Sequence, residues 1–469
     1  MKSKSFYIKS LICMILMAAA MLSPLEVFAV TPTEDTPVPS AILIDAESGM
    51  TLYEKDADKQ IAPASTTKVL TALLVFEAVE SGQITLDDQI TATEEIIAKT
   101  PYDASKVVPN IQAGETMTVR QYLYCLLMVS DCTACDILGE YVSGSVDEFV
   151  ALMNRRAAEL GCTGTNFVNT HGYPDANHYS TARSLAIITA EAMKHEGFCE
   201  IFGTIKLQLD ATNISTSRML YNSNWLIWNP EKITSIYCVH YYPYATGGKT
   251  GTSNASGHCL VSSAEKDGAR LVCVITGGKI VLDSTGQKYI YQHYSESARL
   301  FEWGFANYLS SPIIAEGEVV TDMKVSGGEK KKIELYAQER LDLLLPVDAD
   351  RTKIEYDYVI YDGENAAPVS TGDVVGEVVA TYDGVVSDSV PLCASQDVAV
   401  RVETSSCNAG GFITTVLAVL LVITLVLCAA LLFLLNSPKY SKRTKYVING
   451  LVEDLSKRKK SGYSAKYRR

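Results

Sequence analysis

An uncharged apolar run near the C-terminus restricts the architecture of this chain more than any other segment. Residues 411–435 read GFITTVLAVLLVITLVLCAALLFLL and contain no charged side chain. A run of this length can cross the hydrocarbon core of a bilayer as one helix. The next segment, 436–469, is rich in lysine and arginine, and positive charge behind a span marks the cytoplasmic side. The sequence therefore predicts a single-pass cell-membrane protein with a transmembrane helix at 411–435, a basic cytoplasmic tail at 436–469 and an extracytoplasmic body.

The N-terminus carries the pattern of an export signal. Three lysines within the first nine residues precede the apolar run SLICMILMAAAML, and small residues lead up to Ala29. This order is typical of a secretory signal peptide that is cleaved after Ala29. An uncleaved N-terminal anchor is the alternative, although the run is short for a span. We expect a signal peptide at 1–29 and a linker rich in proline and threonine at 30–40.

The charge distribution separates the predicted body from the two ends. The whole chain carries a net charge of −13 although both ends are basic, so the body from 30 to 410 is strongly acidic. An acidic surface keeps the body soluble and argues against binding nucleic acid or anionic lipid. We expect no nucleic-acid partner, and we interpret the basic tail as a topology signal attracted to lipid headgroups.

The 12 cysteines show no regular framework spacing, so their pairing cannot be deduced from the sequence. Cys132 and Cys135 form a C-x-x-C with neither a second cysteine pair nor a pair of histidines nearby. This spacing indicates a zinc or redox site only weakly. We therefore expect no metal and no cofactor.

Strand and helix patterns divide the body into two regions. Residues 41–56 read as a β-hairpin, helical spacing follows, and strands return near residue 249 with a hairpin that turns at Lys266-Asp267-Gly268. One sheet built from both ends of a region, with helices inserted between, is an α+β arrangement, which we predict for 41–310. Short β-rich runs separated by turn residues predict a small all-β sandwich or barrel at 311–403. Its expected role is that of a spacer or a partner-binding domain.

The stretch IAPASTTKVLTALLVFEAVE, residues 61–80, places a lysine in an otherwise apolar helix. Helical spacing puts Lys68 near the buried side, where a lysine is costly unless it is paired or neutral. Ser65 shares a face with Lys68 and lies near the positive end of the helix dipole, which favours an alkoxide. A desolvated lysine could accept the hydroxyl proton. The pair indicates a nucleophile and its base, with a capping serine and a snorkelling lysine as the alternative.

A second motif adds weight to the catalytic interpretation. The stretch GGKTGTSNASGHCL places Lys249, Thr250 and Gly251 at the start of a predicted strand. Lys249 and Thr250 can bind a carboxylate, and Gly251 lets the strand backbone approach a ligand. S-x-x-K together with K-T-G is the signature of active-site serine penicillin-recognising enzymes.

Over about residues 38–402 the chain resembles the D-alanyl-D-alanine carboxypeptidases, the low-molecular-weight penicillin-binding proteins. The resemblance also takes in the stretches ILIDAESGMTLYEKDADKQ, NTHGYPDANHYSTARSLAII and AAPVSTGDVVGEVVA. It implies a catalytic domain like those of serine β-lactamases and penicillin-binding proteins, with an antiparallel sheet and a helical insertion. A small all-β domain would follow, before the C-terminal transmembrane helix.

The resemblance implies a role for each motif residue. Ser65 would be the acylated nucleophile and Lys68 its base, while Lys249 and Thr250 would hold the terminal carboxylate of the substrate. Backbone N–H groups of Ser65 and Thr252 would form the oxyanion hole.

The middle motif of the family, S-x-N, falls at Ser130, Asp131 and Cys132, where a cysteine stands in place of the asparagine. Ser130 would relay a proton to the leaving D-alanine. The family's asparagine amide would bind the substrate backbone and orient Lys68, and Cys132 lacks this amide.

Three histidines near these motifs, His171, His178 and His258, are expected to be structural because Lys68 already supplies the base.

We therefore predict a serine D-alanyl-D-alanine carboxypeptidase that trims terminal D-alanine from peptidoglycan stem peptides through an acyl-enzyme on Ser65, and that β-lactam antibiotics also acylate. A serine β-lactamase is disfavoured, because the segment 166–180 lacks a glutamate to drive deacylation. A binding protein that retains affinity for muropeptides or penicillin without turnover is the alternative of another class, and Cys132 is its support.

Overall fold

The computed structural model describes residues 35–361, 363–387, 389–402, 419 and 421–430. Contacts divide the chain into a unit that ends at Ala399 and a second that begins at Val400. The predicted signal peptide and basic tail, and residues 30–34 of the predicted linker, lie outside the described residues. Of the predicted span 411–435, only residue 419 and the helical segment 421–430 are described. Within the described part of the chain, no helix has both the length and the apolar character needed to cross a membrane.

Strands and helices alternate in the first part of the chain, and strands dominate after residue 307. The strands are Ser40–Asp45 (β1), Thr51–Lys55 (β2), Gln89–Thr91 (β3), Thr116–Thr118 (β4), Lys206–Leu209 (β5), Arg218–Tyr221 (β6), Ala245–Ser253 (β7), Gly257–Lys266 (β8), Ala269–Gly278 (β9), Ile280–Leu282 (β10), Tyr289–Tyr291 (β11), Tyr308–Ile314 (β12), Val319–Lys324 (β13), Lys332–Ala337 (β14), Leu341–Pro346 (β15), Glu355–Ile360 (β16), Val374–Tyr382 (β17), Val385–Val386 (β18) and Val390–Ala394 (β19). The α-helices are Lys68–Glu80 (α1), Glu94–Lys99 (α2), Val119–Met128 (α3), Cys132–Ser143 (α4), Val146–Glu159 (α5), Ala182–Ala192 (α6), Glu196–Gly203 (α7) and Gln292–Asn307 (α8). Single 3₁₀ turns occupy Ala64–Thr67, Trp225–Ile227, Ile236–His240 and Arg351–Lys353.

The central sheet of the first region, predicted at 41–310, joins distant parts of the chain. Its five strands run in the order β2-β1-β9-β8-β7, and all neighbours are antiparallel. Both predicted hairpins are confirmed, β1 with β2 and β8 with β9. The second hairpin turns at Asp267 and Gly268, which both have positive φ and so match the twist of the flanking strands. The α+β prediction is confirmed, because the helices between β2 and β7 form the inserted layer.

Helix α1 is the core helix of this inserted layer. Every residue from Lys68 to Phe76 is buried, as expected of a helix that is apolar on all sides. It packs against α4 and α6 within one large apolar core. Its first residue is therefore held in a rigid, water-excluding environment.

The second region is all-β, as predicted. One sheet has the order β13-β14-β19-β17-β16, with β18 paired to β17, and a second sheet pairs β12 with β15. Both sheets contribute to one apolar core, for example Leu335 and Val378 from the first and Leu343 from the second. This arrangement fits the sandwich of the two predicted alternatives. The boundary predicted between residues 310 and 311 falls within β12.

Candidate active site

The catalytic pair predicted from S-x-x-K lies where the Ala64–Thr67 turn leads into α1. Ser65 is half-buried in the turn, and the Lys68 side chain has no exposed surface. Lys68 Nζ donates to Ser65 Oγ at 3.1 Å and to the backbone oxygen of His171 at 2.6 Å, and it lies 3.4 Å from Cys132 Sγ. The predicted burial of Lys68 is thus confirmed, and the ammonium group has polar neighbours that lower the cost of burial.

Two glycines allow the turn that carries Ser65 to be packed from both sides. A Cβ at Gly251 would lie 3.0 Å from the Pro63 oxygen and 3.2 Å from the Ser65 nitrogen. A Cβ at Gly172, which has positive φ, would lie 1.7 Å from the Ala64 oxygen. Strand β7 and the segment around Gly172 therefore approach the turn more closely than any side chain permits.

The K-T-G residues lie on β7, beside this turn. Lys249 is fully buried, and desolvation together with the charge of Lys68 lowers the pKa of Lys249 to about 7. Its Nζ donates to the Thr250 backbone oxygen at 2.8 Å. The Thr250 hydroxyl donates to Ser223 Oγ at 2.7 Å, and the Thr252 hydroxyl lies 3.1 Å from His258 Nδ1. A basic side chain and two hydroxyls thus line one edge of the site.

The middle motif lies at the start of α4. Asp131 caps the helix by accepting from the Ala134 N–H at 2.7 Å, and it also accepts from the Val107 N–H at 2.6 Å. Ser130 has a positive φ of 65°, which is uncommon for a residue with a side chain. Its hydroxyl is buried without a hydrogen-bond partner among the described residues. A strained residue with an unpaired hydroxyl, next to the Lys68 neighbour Cys132, fits a group kept for a ligand.

A second polar layer behind Lys68 escaped sequence reasoning. Asp136 is buried on α4, and its carboxylate accepts from the Thr170 hydroxyl at 2.5 Å and from the Thr100 hydroxyl at 3.2 Å. Burial raises the pKa of Asp136 to about 6. Its only signal in the sequence is an aspartate within the otherwise apolar stretch TACDILG.

The neighbouring histidines are neutral. Burial lowers the pKa of His171 to about 3 and that of His178 to about 4. His171 Nδ1 accepts from the Tyr173 N–H at 3.1 Å, and His178 Nε2 lies 2.9 Å from the Thr67 hydroxyl. Neither ring contacts Ser65 within the described contacts, which agrees with the structural role expected of them. His171 contributes its backbone oxygen to the site. Because every residue type has a backbone oxygen, no sequence motif could have identified this contact.

The structure places Lys68 in direct contact with both Ser65 and Cys132, and it places Gly251 against the Ser65 nitrogen. Lys249 lies close enough for the charge of Lys68 to depress its pKa. Residues drawn from α1, α4 and β7 thus converge on one serine hydroxyl and one buried amine. This arrangement can carry out acyl transfer.

Comparisons with known proteins agree with this geometry. The family described as D-alanyl-D-alanine carboxypeptidase matches residues 27–279, and the C-terminal domain of penicillin-binding protein 5 matches residues 308–400. The chain is 30% identical over 358 residues to D-alanyl-D-alanine carboxypeptidase DacF of Bacillus subtilis, covering 76% of this chain and 85% of that protein. It is 29% identical over 376 residues to DacC of Escherichia coli, covering 79% of this chain and 87% of that protein.

Solved structures show the same architecture. Penicillin-binding protein 5 from Haemophilus influenzae has a TM-score of 0.58 at 28% identity, covering 79% of this chain and all of that one. A Streptococcus pneumoniae protein, PBP3, has a TM-score of 0.63 at 22% identity and supports the fold alone. Together with the S-x-x-K and K-T-G geometry, these matches establish that the chain belongs to the family of serine D-alanyl-D-alanine carboxypeptidases, which are penicillin-binding proteins.

Proposed function

We propose that this protein removes the terminal D-alanine from peptidoglycan stem pentapeptides through an acyl-enzyme on Ser65. The observation that carries the proposal is the distance of 3.1 Å between Lys68 Nζ and Ser65 Oγ, at a lysine with no exposed surface. At this distance the Lys68 amine can, in its unprotonated form, accept the hydroxyl proton as the oxygen attacks. Lys249 and Thr250, on strand β7 beside the turn that carries Ser65, would bind the free carboxylate of the substrate.

The acylation step follows from these positions. Ser65 Oγ attacks the carbonyl carbon of the penultimate D-alanine, and its proton passes to Lys68 Nζ. Charge develops on the carbonyl oxygen, where the N–H groups of Ser65 and Thr252 would stabilise it. The C–N bond then breaks, and Ser130 would relay the proton from Lys68 to the leaving amine. Water reverses the sequence by attacking the ester, which releases the shortened peptide and restores the Ser65 hydroxyl.

β-Lactams would acylate the same serine. Their amide bond opens in the first step, but the leaving nitrogen stays tethered to the acyl group, so the ester persists where a peptide would be released. This persistence makes a penicillin a covalent probe of Ser65.

Mass spectrometry with benzylpenicillin tests the proposal. We expect the adduct on the peptide that contains Ser65, and we expect Lys68→Ala to slow acylation roughly 10²- to 10⁴-fold, because the hydroxyl loses its base. An adduct on another serine would overturn the assignment. Release of D-alanine from a pentapeptide separates turnover from binding alone.

Cys132 favours a second candidate, a binding protein with weakened turnover. A thiol donates and accepts hydrogen bonds poorly compared with the asparagine amide of the family motif. Normal acylation by penicillin without D-alanine release would support this candidate over the carboxypeptidase.

A β-lactamase is less well supported, because the segment that contains His171 and approaches Lys68 carries no glutamate.

We also propose that the protein is tethered to the cell membrane by residues 411–435, with its catalytic body outside the cytoplasm. The charge-free run and the basic segment behind it support this orientation. Protease added to protoplasts should digest the body and spare an epitope tag after Arg469, and digestion of the tag would reverse the orientation. Deletion of 411–469 should release a soluble enzyme that retains its activity.

A further inference from the structure

The buried carboxylate of Asp136 lies one helical turn beyond Cys132, and the reaction described above does not use it. Each of its oxygens accepts from one threonine, Oδ1 from Thr170 and Oδ2 from Thr100. Oδ2 also lies 3.7 Å from His171 Nε2. Because His171 Nδ1 accepts a backbone N–H, the ring proton is on Nε2 and faces this carboxylate. Asp136 therefore contacts two consecutive residues of one segment.

The backbone of these two residues holds helix α1. The Thr170 backbone oxygen accepts from the Thr71 hydroxyl at 2.5 Å. The His171 backbone oxygen accepts from Lys68 Nζ at 2.6 Å, the shortest of the three contacts made by that amine. The orientation of the Lys68 amine thus depends on where the segment 170–171 lies.

Cys132 makes this dependence stronger. Of the three Lys68 contacts, one is to the reacting Ser65 hydroxyl and one is to a thiol, which is a weak acceptor. The His171 oxygen is the remaining strong acceptor. A displacement of this oxygen would leave the amine without a firm anchor, and small errors in the position of a catalytic group are costly.

We propose that Asp136 is a positioning residue, which fixes the segment 170–171 so that the His171 oxygen holds the Lys68 amine against Ser65. The proposal rests on the function proposed for Ser65 and Lys68. Asp136 would then help to orient Lys68, a role that the amide would have if residue 132 were an asparagine.

Rapid-quench acylation of the full-length chain by benzylpenicillin tests this role. The experiment yields the acylation rate constant and, separately, the dissociation constant of the complex that precedes it. Labelling at long times counts the folded sites, so the rate constant refers to folded molecules. Two pairs of variants are compared with wild type: Asp136→Asn with Asp136→Leu, and Thr170→Val with Thr100→Val.

Asp136→Asn keeps an oxygen that accepts from Thr170, whereas Asp136→Leu does not. We expect Asp136→Leu to lower the acylation rate constant about tenfold with the dissociation constant unchanged, and Asp136→Asn to stay within about twofold of wild type. The threonines are the matched pair, since both are buried and both donate to this carboxylate. Thr170→Val should slow acylation like Asp136→Leu, and Thr100→Val should not.

Equal rate constants for the two threonine variants would overturn the positioning role, even if Asp136→Leu failed to fold. A loss in Asp136→Asn as large as that in Asp136→Leu would also overturn it, because the charge and not the hydrogen bond would then matter. A wild type that carries no label on Ser65 would instead overturn the proposed function and the positioning role with it.

Discussion

The catalytic region before residue 308 and the β-rich region after it bury different kinds of side chain. The catalytic region buries Lys68 and Lys249, several neutral histidines, and the ion pair of Arg218 with Glu115, neither of which has exposed side-chain surface. Among the described residues 308–402, the buried polar side chains are Ser311 and Ser387, and the remaining buried positions are apolar.

This contrast separates activity from stability. Burying a charge costs free energy, which only well-placed partners offset. A region that buries several charged groups therefore reflects the requirements of function as well as those of stability. The buried apolar side chains of the β-rich region carry no such cost, and their packing contributes to stability. Substitutions in the catalytic region should therefore change rates, and matched substitutions in the β-rich region should change the free energy of unfolding.

The largest difference is expected at two serines. Ser65→Ala should abolish covalent labelling by benzylpenicillin, because no oxygen remains to form the ester. Ser311→Ala should label as fast as wild type, since that hydroxyl donates to the Leu309 backbone oxygen at 3.4 Å and lies on β12, outside the catalytic region. Gel detection of a fluorescent penicillin measures both, and residual labelling of Ser65→Ala would contradict the assignment.

Two glycines give the next effect. Gly251→Ala pushes a methyl group against the Pro63 oxygen and the Ser65 nitrogen, so acylation should slow roughly tenfold to hundredfold. A Cβ at Gly376 would lie 2.2 Å from the Val359 oxygen within the β-rich sheet. Gly376→Ala should lower the free energy of unfolding by roughly 1–3 kcal/mol and leave the rate per folded molecule unchanged. Stopped-flow acylation and urea titration together decide whether the two effects separate.

The pH dependence of stability should also originate in the catalytic region, because all six histidines lie between residues 171 and 293. His178 has a folded pKa of about 4, below its ordinary value of 6.5, so the unfolded chain binds the proton more tightly. Its contribution is complete above pH 6.5 and is lost as the pH falls towards 4. Between pH 7.5 and 5 this loss is about 2 kcal/mol. Urea titrations should show His178→Gln shrinking the pH difference by that amount, and an unchanged difference would refute the prediction.

The smallest effect is expected at two buried cysteines. Cys132→Asn restores the amide of the family motif and should raise the rate of D-alanine release about tenfold, if the local backbone accepts it. Cys393→Asn places the same amide in the β-rich region, where it should reduce stability and leave the rate alone. A neutral or harmful Cys132→Asn, with activity retained in Cys132→Ala, would instead show that Cys132 only fills space.

Local patterns determined much of this protein from the sequence alone. The three-residue spacing of Ser65 and Lys68 predicts that their side chains meet, although Ser65 lies in the 3₁₀ turn that precedes α1. Alternation with turn residues predicts the hairpins and the β-rich region. The sequence also predicted that the K-T-G motif lies on a strand. These features depend on residues that are close in sequence, so their physics is local.

Tertiary structure alone decided how the Lys68 amine is held. The Lys68 anchor is a backbone oxygen 103 residues away, which any residue type could supply. The approach of Gly251 to the Ser65 nitrogen and the reach of Asp136 to Thr170 likewise join segments with no shared pattern. Such contacts form only when the whole core packs, because the position of each segment is fixed by all of its neighbours.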